Sequence, residues 1–506
     1  MVHARMTPEQ ASQLSLAEQH DWFVRASRGC PSGSAPARAV ARPGPPAVPV
    51  LLTRSARPSG RYLPPVGRHL AFGTDPATQL TVAWQVSGPV TAPFIRVADS
   101  RADLSEPIPA EVRPVVTAAS AVAPATEQYY LHTQLTGLRP GTTYYYSVGH
   151  QGWDVGGAST ALASFTTAPG DRAPFTFTAF GDQGVSAGAA VTAALIRARQ
   201  PAFHLHAGDI SYAESSGRGL ITDAYDPREW DAFFTEIEPA ARSIPWQIAV
   251  GNHELEPWYS ADGYGGQRAR FGFPASAASP QPGTYYSFAY GNVGVISLDA
   301  NDISYEIPAN IGYSGGAQTA WLQGTLAAFR ADPEIDFIVV FFHHCAYCTC
   351  SAHGSDGGAR EHWTPLFDRY AVDLVINGHN HIYERTDPLR GGAATGAAPA
   401  GATVYPASAG TTYIVAGAGG KSLYSFPAPD SYLGAPDAAS PIGSVVHQPD
   451  GHPAAEEATW SSVRYTGYCL LVVDSEPGWR PGASARLRVR GVAGDGSEID
   501  RIDLVR

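Results

Sequence analysis

The decisive stretch is Ala202-Phe203-His204-Leu205-His206-Ala207, followed by Gly208-Asp209-Ile210-Ser211-Tyr212. Its first six residues alternate at period two and predict a buried strand. The next five break that pattern and bring a carboxylate and a phenol just past the strand's C-terminal end. Open α/β sheets place their chemistry there. A carboxylate can bridge two cations, and a phenol three residues later can coordinate one of them. Gly-Asp is also ordinary turn chemistry, so the rest of the chain must decide between the two readings.

Working outward, four more apolar runs end in the same way. Phe175–Phe180 runs into Gly181-Asp182, Trp246–Val250 into Gly251-Asn252-His253, Phe337–Phe342 into His343, and Leu374–Ile376 into Gly378-His379-Asn380-His381. Each ending alone has a bland reading, such as a turn cap for Asp182 or Asn252 and a satisfied core histidine for His343. Five of them, each after an apolar strand, predict one shared site at one edge of the sheet. His379 and His381 occupy alternate positions, which in extended chain is one face. His344 is expected on the face opposite His343. His204 and His206 are expected in the core or in support of the site, and His362, on a predicted helix, is expected to be structural. Asp182, Asp209, Tyr212, Asn252, His343, His379 and His381 make seven donors, more than one tetrahedral ion takes. Two ions bridged by one carboxylate fit the inventory, and such a pair can clamp a phosphoryl group during in-line displacement.

From Phe175 onward strands alternate with helices. Predicted helices cover Ser186–Arg199, Pro227–Ala241 (Asp226 as N-cap), Gln318–Arg330 and Arg360–Tyr370. Tyr285–Tyr290 and Val293–Leu298 form a hairpin across Gly291-Asn292. Tyr413–Val415, Tyr468–Val473, Ala485–Val489 and Ile499–Val505 add strands, which gives a mixed α/β layer architecture. His69 to Pro169 instead reads as short strands between turns, with Leu80–Gln85 and Tyr129–Leu135 alternating and Pro140-Gly141 feeding the aromatic strand Tyr144–Val148. This predicts an all-β sandwich of about 100 residues, which resembles fibronectin type III at Trp84 and Tyr144–Tyr146. The expected division is an N-terminal segment (1–67) of linker, disorder or degenerate targeting sequence, a sandwich (68–170), and an α/β domain (171–506) that includes the closing strands. Within the first segment Thr7, as N-cap to Pro8, signals a helix toward Val24. Residues 30–60, rich in Pro, Ala, Ser and Arg, read as linker.

Composition narrows the function. The chain has 506 residues and is 44% hydrophobic, enough to build two or three packed domains. The net charge of −12 and the lack of any Lys/Arg run argue against a nucleic-acid partner. Local positive charge for an anionic substrate would then come from bound metal. Lys421 is the only lysine. No stretch approaches a membrane span, and Ala47–Leu52, interrupted by Pro49, is too short for a secretory apolar core. Cys30, Cys345, Cys348, Cys350 and Cys469 are too few for a disulfide scaffold. The Cys345-x-x-Cys348-x-Cys350 cluster lacks a nearby fourth thiolate for zinc, and its oxidation state stays open.

In order along the chain, Asp182-x-Gly184, Gly208-Asp209-x-x-Tyr212, Gly251-Asn252-His253-Glu254, Phe342-His343 and Gly378-His379-x-His381 resemble the five blocks of the purple acid phosphatases. These belong to the calcineurin-like metallophosphoesterases. Ile382-Tyr383-Glu384-Arg385 and Gly417-Ala418-Gly419-Gly420 are similar too, and the resemblance covers about residues 68–506. It implies a four-layer α/β/β/α sandwich with mixed sheets behind a fibronectin III-like domain. Gly184 stands where the wider superfamily has a histidine, and Tyr212 offers a hard phenolate suited to a trivalent ion. The resemblance implies Fe(III) held by Asp182, Tyr212, His381 and the bridging Asp209. It also implies a divalent ion (Zn, Mn or Fe) held by Asn252, His343, His379 and Asp209. The implied activity is acid phosphatase action on small phosphate monoesters by direct attack of metal-bound hydroxide. Phosphodiester or nucleotide hydrolysis is the alternative on the same site, and a non-catalytic binder with a vestigial site is the third reading. His253 resembles the family's phosphate-contacting histidine. His353 resembles one of a catalytic pair, with Ala352 in the place of the other. His253 and His353 are therefore the candidate catalytic residues and, with Asn252, the candidate substrate contacts. Family members are usually exported, so a secreted or periplasmic location is expected although no clear signal peptide is seen. The sequence does not specify the oligomeric state.

Overall fold

Phe337–Phe342 contains no polar residue, so both faces of this strand must be buried. Phe337, Val339 and Phe341 enter one core, and Ile338, Val340 and Phe342 enter another. That double burial sets the layering in the computed structural model, which describes residues 6–27, 63–104, 106–155, 161–274, 283–427 and 442–506. Cys30 and the expected linker at 30–60, with Ala47–Leu52, lie outside the described residues.

The first core is the seam between two seven-stranded mixed sheets. One sheet has the order Trp246–Ile248, Phe203–His206, Phe175–Phe180, Cys469–Glu476, Arg486–Ala493, Glu498–Val505, Ala402–Val404. The other runs Tyr286–Tyr290, Val293–Ser297, Phe337–Phe342, Leu374–Asn377, Thr412–Ala416, Tyr383–Thr386, Ser461–Tyr465. Phe177, Leu205 and Leu471 from the first sheet share the seam with Val295, Val339 and Ile376 from the second. Helices Ala187–Arg199 and Arg228–Ala241 cover the first sheet's outer face, where Ile196, Phe233 and Ile237 join Phe180, Ile248 and Val472. Helices Ala317–Ala331 and Thr364–Arg369 cover the second, with Leu322, Leu326 and Phe367 against Ile338 and Val375. The result is the expected helix–sheet–sheet–helix stack. Phe203–His206 is parallel to both Phe175–Phe180 and Trp246–Ile248, and Phe337–Phe342 is parallel to Leu374–Asn377. The five runs read from the sequence are thus parallel strands within their sheets.

Residues 63–168 form a sandwich of two four-stranded sheets, ordered Val66–Phe72, Leu80–Val86, Thr126–Leu135, Glu111–Thr117 and Pro107–Pro109, Phe94–Ala98, Thr143–Gly149, Ala163–Thr166. Phe94–Ala98 and Glu111–Thr117 were not among the expected strands. Pro114 interrupts the apolar pattern of the second, and it is tolerated because that strand lies at a sheet edge. The sandwich is packed onto the α/β domain. Phe72 is fully buried against Phe203, Phe288 and Tyr290, and its N–H donates to Gln247 Oε1 at 2.7 Å. Arg68 pairs with Glu238 at 2.6 Å, and the Tyr146 hydroxyl donates to Arg242 O at 2.7 Å.

One helical expectation needs correction, and another, the helix signalled by Thr7, is present as two helices. The helix expected at 360–370 is two short ones, Gly357–His362 and Thr364–Arg369, because Pro365 has no N–H to continue the first. Within the segment 1–67 expected as linker, disorder or targeting sequence, 6–27 is folded. Thr7 caps Pro8–Ala11 with a capping box, and Leu16–Ser27 follows. Leu16 packs with Val250, Leu255 and Tyr264, and Gln19 Oε1 accepts the Ile221 N–H at 2.7 Å. This apolar contact, invisible in the local composition, docks the N-terminal helix on loops that border the site.

Candidate metal centre

At the C-terminal ends of the five parallel strands the backbone turns abruptly. Asp182, Asp209, Tyr212 and His379 have φ of 60°, 52°, 57° and 70°, in the left-handed region that non-glycine residues seldom occupy. Among the described residues seven non-glycine positions do so, and four of them are these candidate donors. Such concentration marks a place where surrounding structure imposes the conformation. Gly208, at φ +85°, allows the strands to converge, since a Cβ there would lie 2.9 Å from His343 Nδ1 and 2.7 Å from Gly251 N. Cross-sheet hydrogen bonds then close the edge. His343 Nδ1 donates to Ala207 O at 2.8 Å, and the His379 N–H donates to Asp182 Oδ2 at 2.8 Å.

Two groups of donor atoms result. In the first, Tyr212 Oη is 2.9 Å from His381 Nε2 and 3.2 Å from Asp182 Oδ1, and Asp182 Oδ1 is 3.4 Å from His381 Nε2. In the second, His343 Nε2 is 3.1 Å from Asp209 Oδ2 and 3.2 Å from His379 Nδ1. Ligands about 2.1 Å from one shared ion stand about 3.0–3.4 Å apart, so both groups have coordination-shell spacing. Asn252 donates Nδ2–H to Gly217 O at 3.1 Å, which leaves its buried Oδ1 without a partner. The next residue donates its N–H to Asp209 Oδ1 at 3.0 Å.

The imidazoles carry a further signature. His343 donates Nδ1–H to Ala207 O, His381 donates Nδ1–H to Ser422 O at 2.6 Å, and His379 donates Nε2–H to Glu306 Oε2 at 2.8 Å. In each ring the other nitrogen is therefore left with a lone pair turned into a donor group, the arrangement found behind metal-binding histidines. His343 Nε2 and His379 Nδ1 then oppose each other as two lone pairs at 3.2 Å, which demands a positive charge between or beside them. Without a bound cation that charge is a proton: burial opposes protonation of His343, but the Asp209 and Asp182 carboxylates outweigh it and push its pKa up to about 10, so Nε2–H takes the place a metal ion would fill. Burial, with Asp182 and Asp209, pushes the Tyr212 phenol well above its usual range. Phenolate would form there only beside a strong cation. The buried donor set fits a pair of metal ions.

Several neighbours support these donors. Glu254, 1% exposed, accepts the N–H of Asp209 at 2.9 Å, of Ile210 at 2.8 Å and of Gly251 at 2.8 Å. It ties together the turns that carry Asp209 and Asn252. His253 donates Nδ1–H to Glu214 O at 2.6 Å, and its Nε2 lies 3.8 Å from Asp209 Oδ2. Burial lowers its basicity, but Asp209 and Glu214 outweigh that and push its pKa up to about 9. His353 donates Nδ1–H to Glu306 Oε1 at 2.5 Å and stands against His379 with ring centroids 4.2 Å apart. Its Nε2 faces the Tyr424 hydroxyl at 3.4 Å, and Tyr424 stacks on His381 at 4.0 Å. Lys421 places its ammonium 4.0 Å from the centre of the Tyr212 ring. All nine candidate site residues thus gather at one edge. Sequence reasoning missed Glu306, which lies in a turn-rich loop, and Lys421 and Tyr424, which lie beyond the glycine-rich bend Gly417–Gly420.

Other histidines are elsewhere or otherwise placed. His204 and His206 are fully buried around Trp246, and His362 contacts Tyr305 on the helix Gly357–His362. His344 does not point away from the site, because the strand ends at Phe342 and its alternation stops. The His344 ring packs 4.5 Å from that of His379. Cys345, Cys348 and Cys350 are buried free thiols, and Cys345 donates to Gly378 O at 2.9 Å. Among the described residues no helix is long and apolar enough to cross a membrane.

Both domains resemble known proteins. The family model described as Purple acid Phosphatase, N-terminal domain, matches residues 65–167, and that of the Calcineurin-like phosphoesterase matches 175–383. The uncharacterized protein Rv2577 of Mycobacterium tuberculosis is 34% identical over 485 residues, covering 88% of each chain. Purple acid phosphatase 23 of Arabidopsis thaliana is 30% identical over 278 residues, 51% of this chain and 58% of that protein. In fold, the purple acid phosphatase PPD1 from yellow lupin (Lupinus luteus) seeds aligns with a TM-score of 0.66 at 19% identity, over 88% of this chain and 75% of that one. On these matches the chain belongs to the purple acid phosphatase family, and it is a phosphatase of the calcineurin-like, two-metal class.

Proposed function

We propose that the protein is an acid phosphatase for small phosphate monoesters. In this reading Asp182, Tyr212, His381 and Asp209 hold Fe(III), and Asn252, His343, His379 and Asp209 hold a divalent ion (Zn, Mn or Fe). The observation that carries it is the triple histidine lock, in which Ala207 O, Ser422 O and Glu306 each take one ring N–H and turn the other nitrogen inward. The Tyr212 oxygen, 2.9 Å from His381 Nε2 and 3.2 Å from Asp182 Oδ1, is a hard donor suited to a trivalent partner, and the neutral Asn252 oxygen suits a divalent one.

The bound pair would supply positive charge that activates water and steadies charge on the phosphoryl oxygens. The chain's own groups do the rest. Asp209 offers Oδ2 to the centre while the His253 N–H fixes its Oδ1. His253, locked through Nδ1 on Glu214 O, presents Nε2 to a phosphoryl oxygen. His353, locked through Nδ1 on Glu306, presents Nε2 to protonate the leaving alcohol, the general-acid role that imidazole commonly fills. Export from the cytoplasm accompanies this reading, in line with the resemblance to exported acid phosphatases.

The test combines metal analysis with pH–rate profiles on p-nitrophenyl phosphate and its bis ester. The expected result is two metal ions per chain, an acidic optimum, preference for the monoester, and a visible absorption band that Tyr212→Phe abolishes. A colourless protein with two bound ions and full activity would refute the Fe(III) assignment. Faster turnover of the bis ester would refute the monoester assignment.

A further inference from the structure

Glu306 lies between two short 3-10 turns, Ala300–Asp302 and Pro308–Asn310, with 13% of its side chain exposed. Its carboxylate hydrogen-bonds two imidazoles, and a third, His447, places Nε2 3.8 Å from Oε2. Oε2 accepts from His379 Nε2 at 2.8 Å, and Oε1 accepts from His353 Nδ1 at 2.5 Å. Glu306, His353 and His379 also form one of two tight clusters of ligand-type atoms among the described residues. The other, Asp209, His343 and His379, lies on the opposite side of the His379 ring.

The loop that carries Glu306 is itself held. Asp356 accepts the Ser304 hydroxyl at 2.7 Å and the Tyr305 N–H at 3.1 Å, while capping helix Gly357–His362 through the Gly358 N–H at 2.8 Å. His353 is fixed from behind, where His447 Nε2 donates to His353 O at 2.8 Å and the His353 N–H reaches Asn380 Oδ1 at 3.3 Å. Asn380 stands between His379 and His381, so one network runs from the donor turn through His353 to Glu306.

We propose that Glu306 is a positioning residue that joins the two halves of the reaction. One oxygen fixes the tautomer and orientation of His379, so that Nδ1 faces the divalent site. The other fixes His353, so that Nε2 faces the leaving group. This rests on the ligand role assigned to His379 and the donor role assigned to His353. A carboxylate suits both tasks because it is acceptor-only when ionised and can take one N–H on each oxygen. A glutamine has one accepting oxygen and one donating nitrogen, so it can serve one imidazole in its present tautomer but not both.

Glu306→Gln and Glu306→Asp, in the full chain with metals loaded, separate the possibilities. Each variant is titrated with a chelator while both metals are counted, and the visible band reports the Fe(III) site. The expected result is that Glu306→Gln releases the divalent ion at a chelator concentration about 10–100-fold lower, the usual effect of losing a group behind a metal ligand. The band should persist, which also shows that the chain is folded. Turnover of glycerol phosphate, whose alkoxide leaves poorly, should fall more than turnover of p-nitrophenyl phosphate. Glu306→Asp, which restores two accepting oxygens, should recover part of both effects. Unchanged divalent retention in Glu306→Gln, or an equal fall in turnover for both substrates, would overturn the proposal. So would loss of a third ion present in the wild type, which would make Glu306 a ligand. Wild-type protein that binds no divalent ion would overturn the functional reading as well. A normal wild type with an unaffected Glu306→Gln would overturn the positioning role alone.

Discussion

Removing the Glu254 carboxylate tests whether the centre is built by backbone tethers. Its two oxygens accept three N–H groups, with Oε2 taking Asp209 and Gly251 and Oε1 taking Ile210. Glu254→Ala would strand all three inside the protein. Each buried donor left without a partner costs about 1–3 kcal/mol, so the loss should be about 3–6 kcal/mol once the turns relax. That is a large share of a typical folding free energy of about 5–15 kcal/mol. Glu254→Gln grades the effect. With its amide oxygen in the Oε2 position it keeps the bonds to Asp209 and Gly251 and sets an NH2 against the Ile210 N–H, for a loss of about 1–3 kcal/mol. Urea unfolding of metal-free wild type, Glu254→Gln and Glu254→Ala should therefore give three ordered midpoints. Chelator titration should show the divalent ion leaving more readily in the same order, because Asp209 and Asn252 sit on the two turns that Glu254 joins. Equal midpoints for the two variants, or a loss below about 1 kcal/mol for Glu254→Ala, would refute the tether argument.

Two further outcomes are expected. Lys421 lies over the Tyr212 ring and stabilises electron density there. In the iron-loaded protein Lys421→Met should move the visible band to longer wavelength without changing metal content, and an unmoved band would show that the ammonium has no electronic effect on Tyr212. Burial pushes Asp299 up to about 7, although the Tyr264 hydroxyl donates to it at 2.6 Å. Folding thus favours its protonated form, and this contribution is full below the ordinary pKa of about 3.8 and fades as pH rises through about 7. Asp299→Asn, neutral throughout, should match wild type near pH 4 and exceed it by up to about 4 kcal/mol above pH 7. Parallel stability curves for the two proteins would contradict this.

The layers, and the gathering of the seven proposed donors at one sheet edge, were legible because the polypeptide announces them by contrast. A run such as Phe337–Phe342 is apolar on both faces and stops at His343, and that interruption is visible without knowing any contact. Glu306 gives no such contrast. It sits among turn residues, and its meaning depends on His353 and His379 being brought to it from 47 and 73 positions away. Lys421 and Tyr424 follow a glycine-rich bend and acquire their places from the rings of Tyr212 and His381. His344 shows the opposite failure, since the period-two rule was carried two residues past the end of the strand. The N-terminal helix was signalled by its cap at Thr7, but its docking through Leu16 and Gln19 depends on residues more than 200 positions away.

The left-handed turns at Asp182, Asp209, Tyr212 and His379 have a consequence for what happens when the activity is no longer needed. Each such residue costs the fold about 1 kcal/mol relative to a glycine in the same conformation. In the proposed two-metal enzyme bound ions would offset that cost, and nothing would offset it in a descendant that has stopped binding them. Such a descendant would gain stability by replacing these four residues with glycine or asparagine, and it would do so before altering His343 or His381, which do not take positive φ. The order in which the donors disappear would therefore be set by backbone conformation rather than by their importance to catalysis. A chain of this fold that kept its two other histidines but carried glycine at those turns would be identifiable as a retired enzyme.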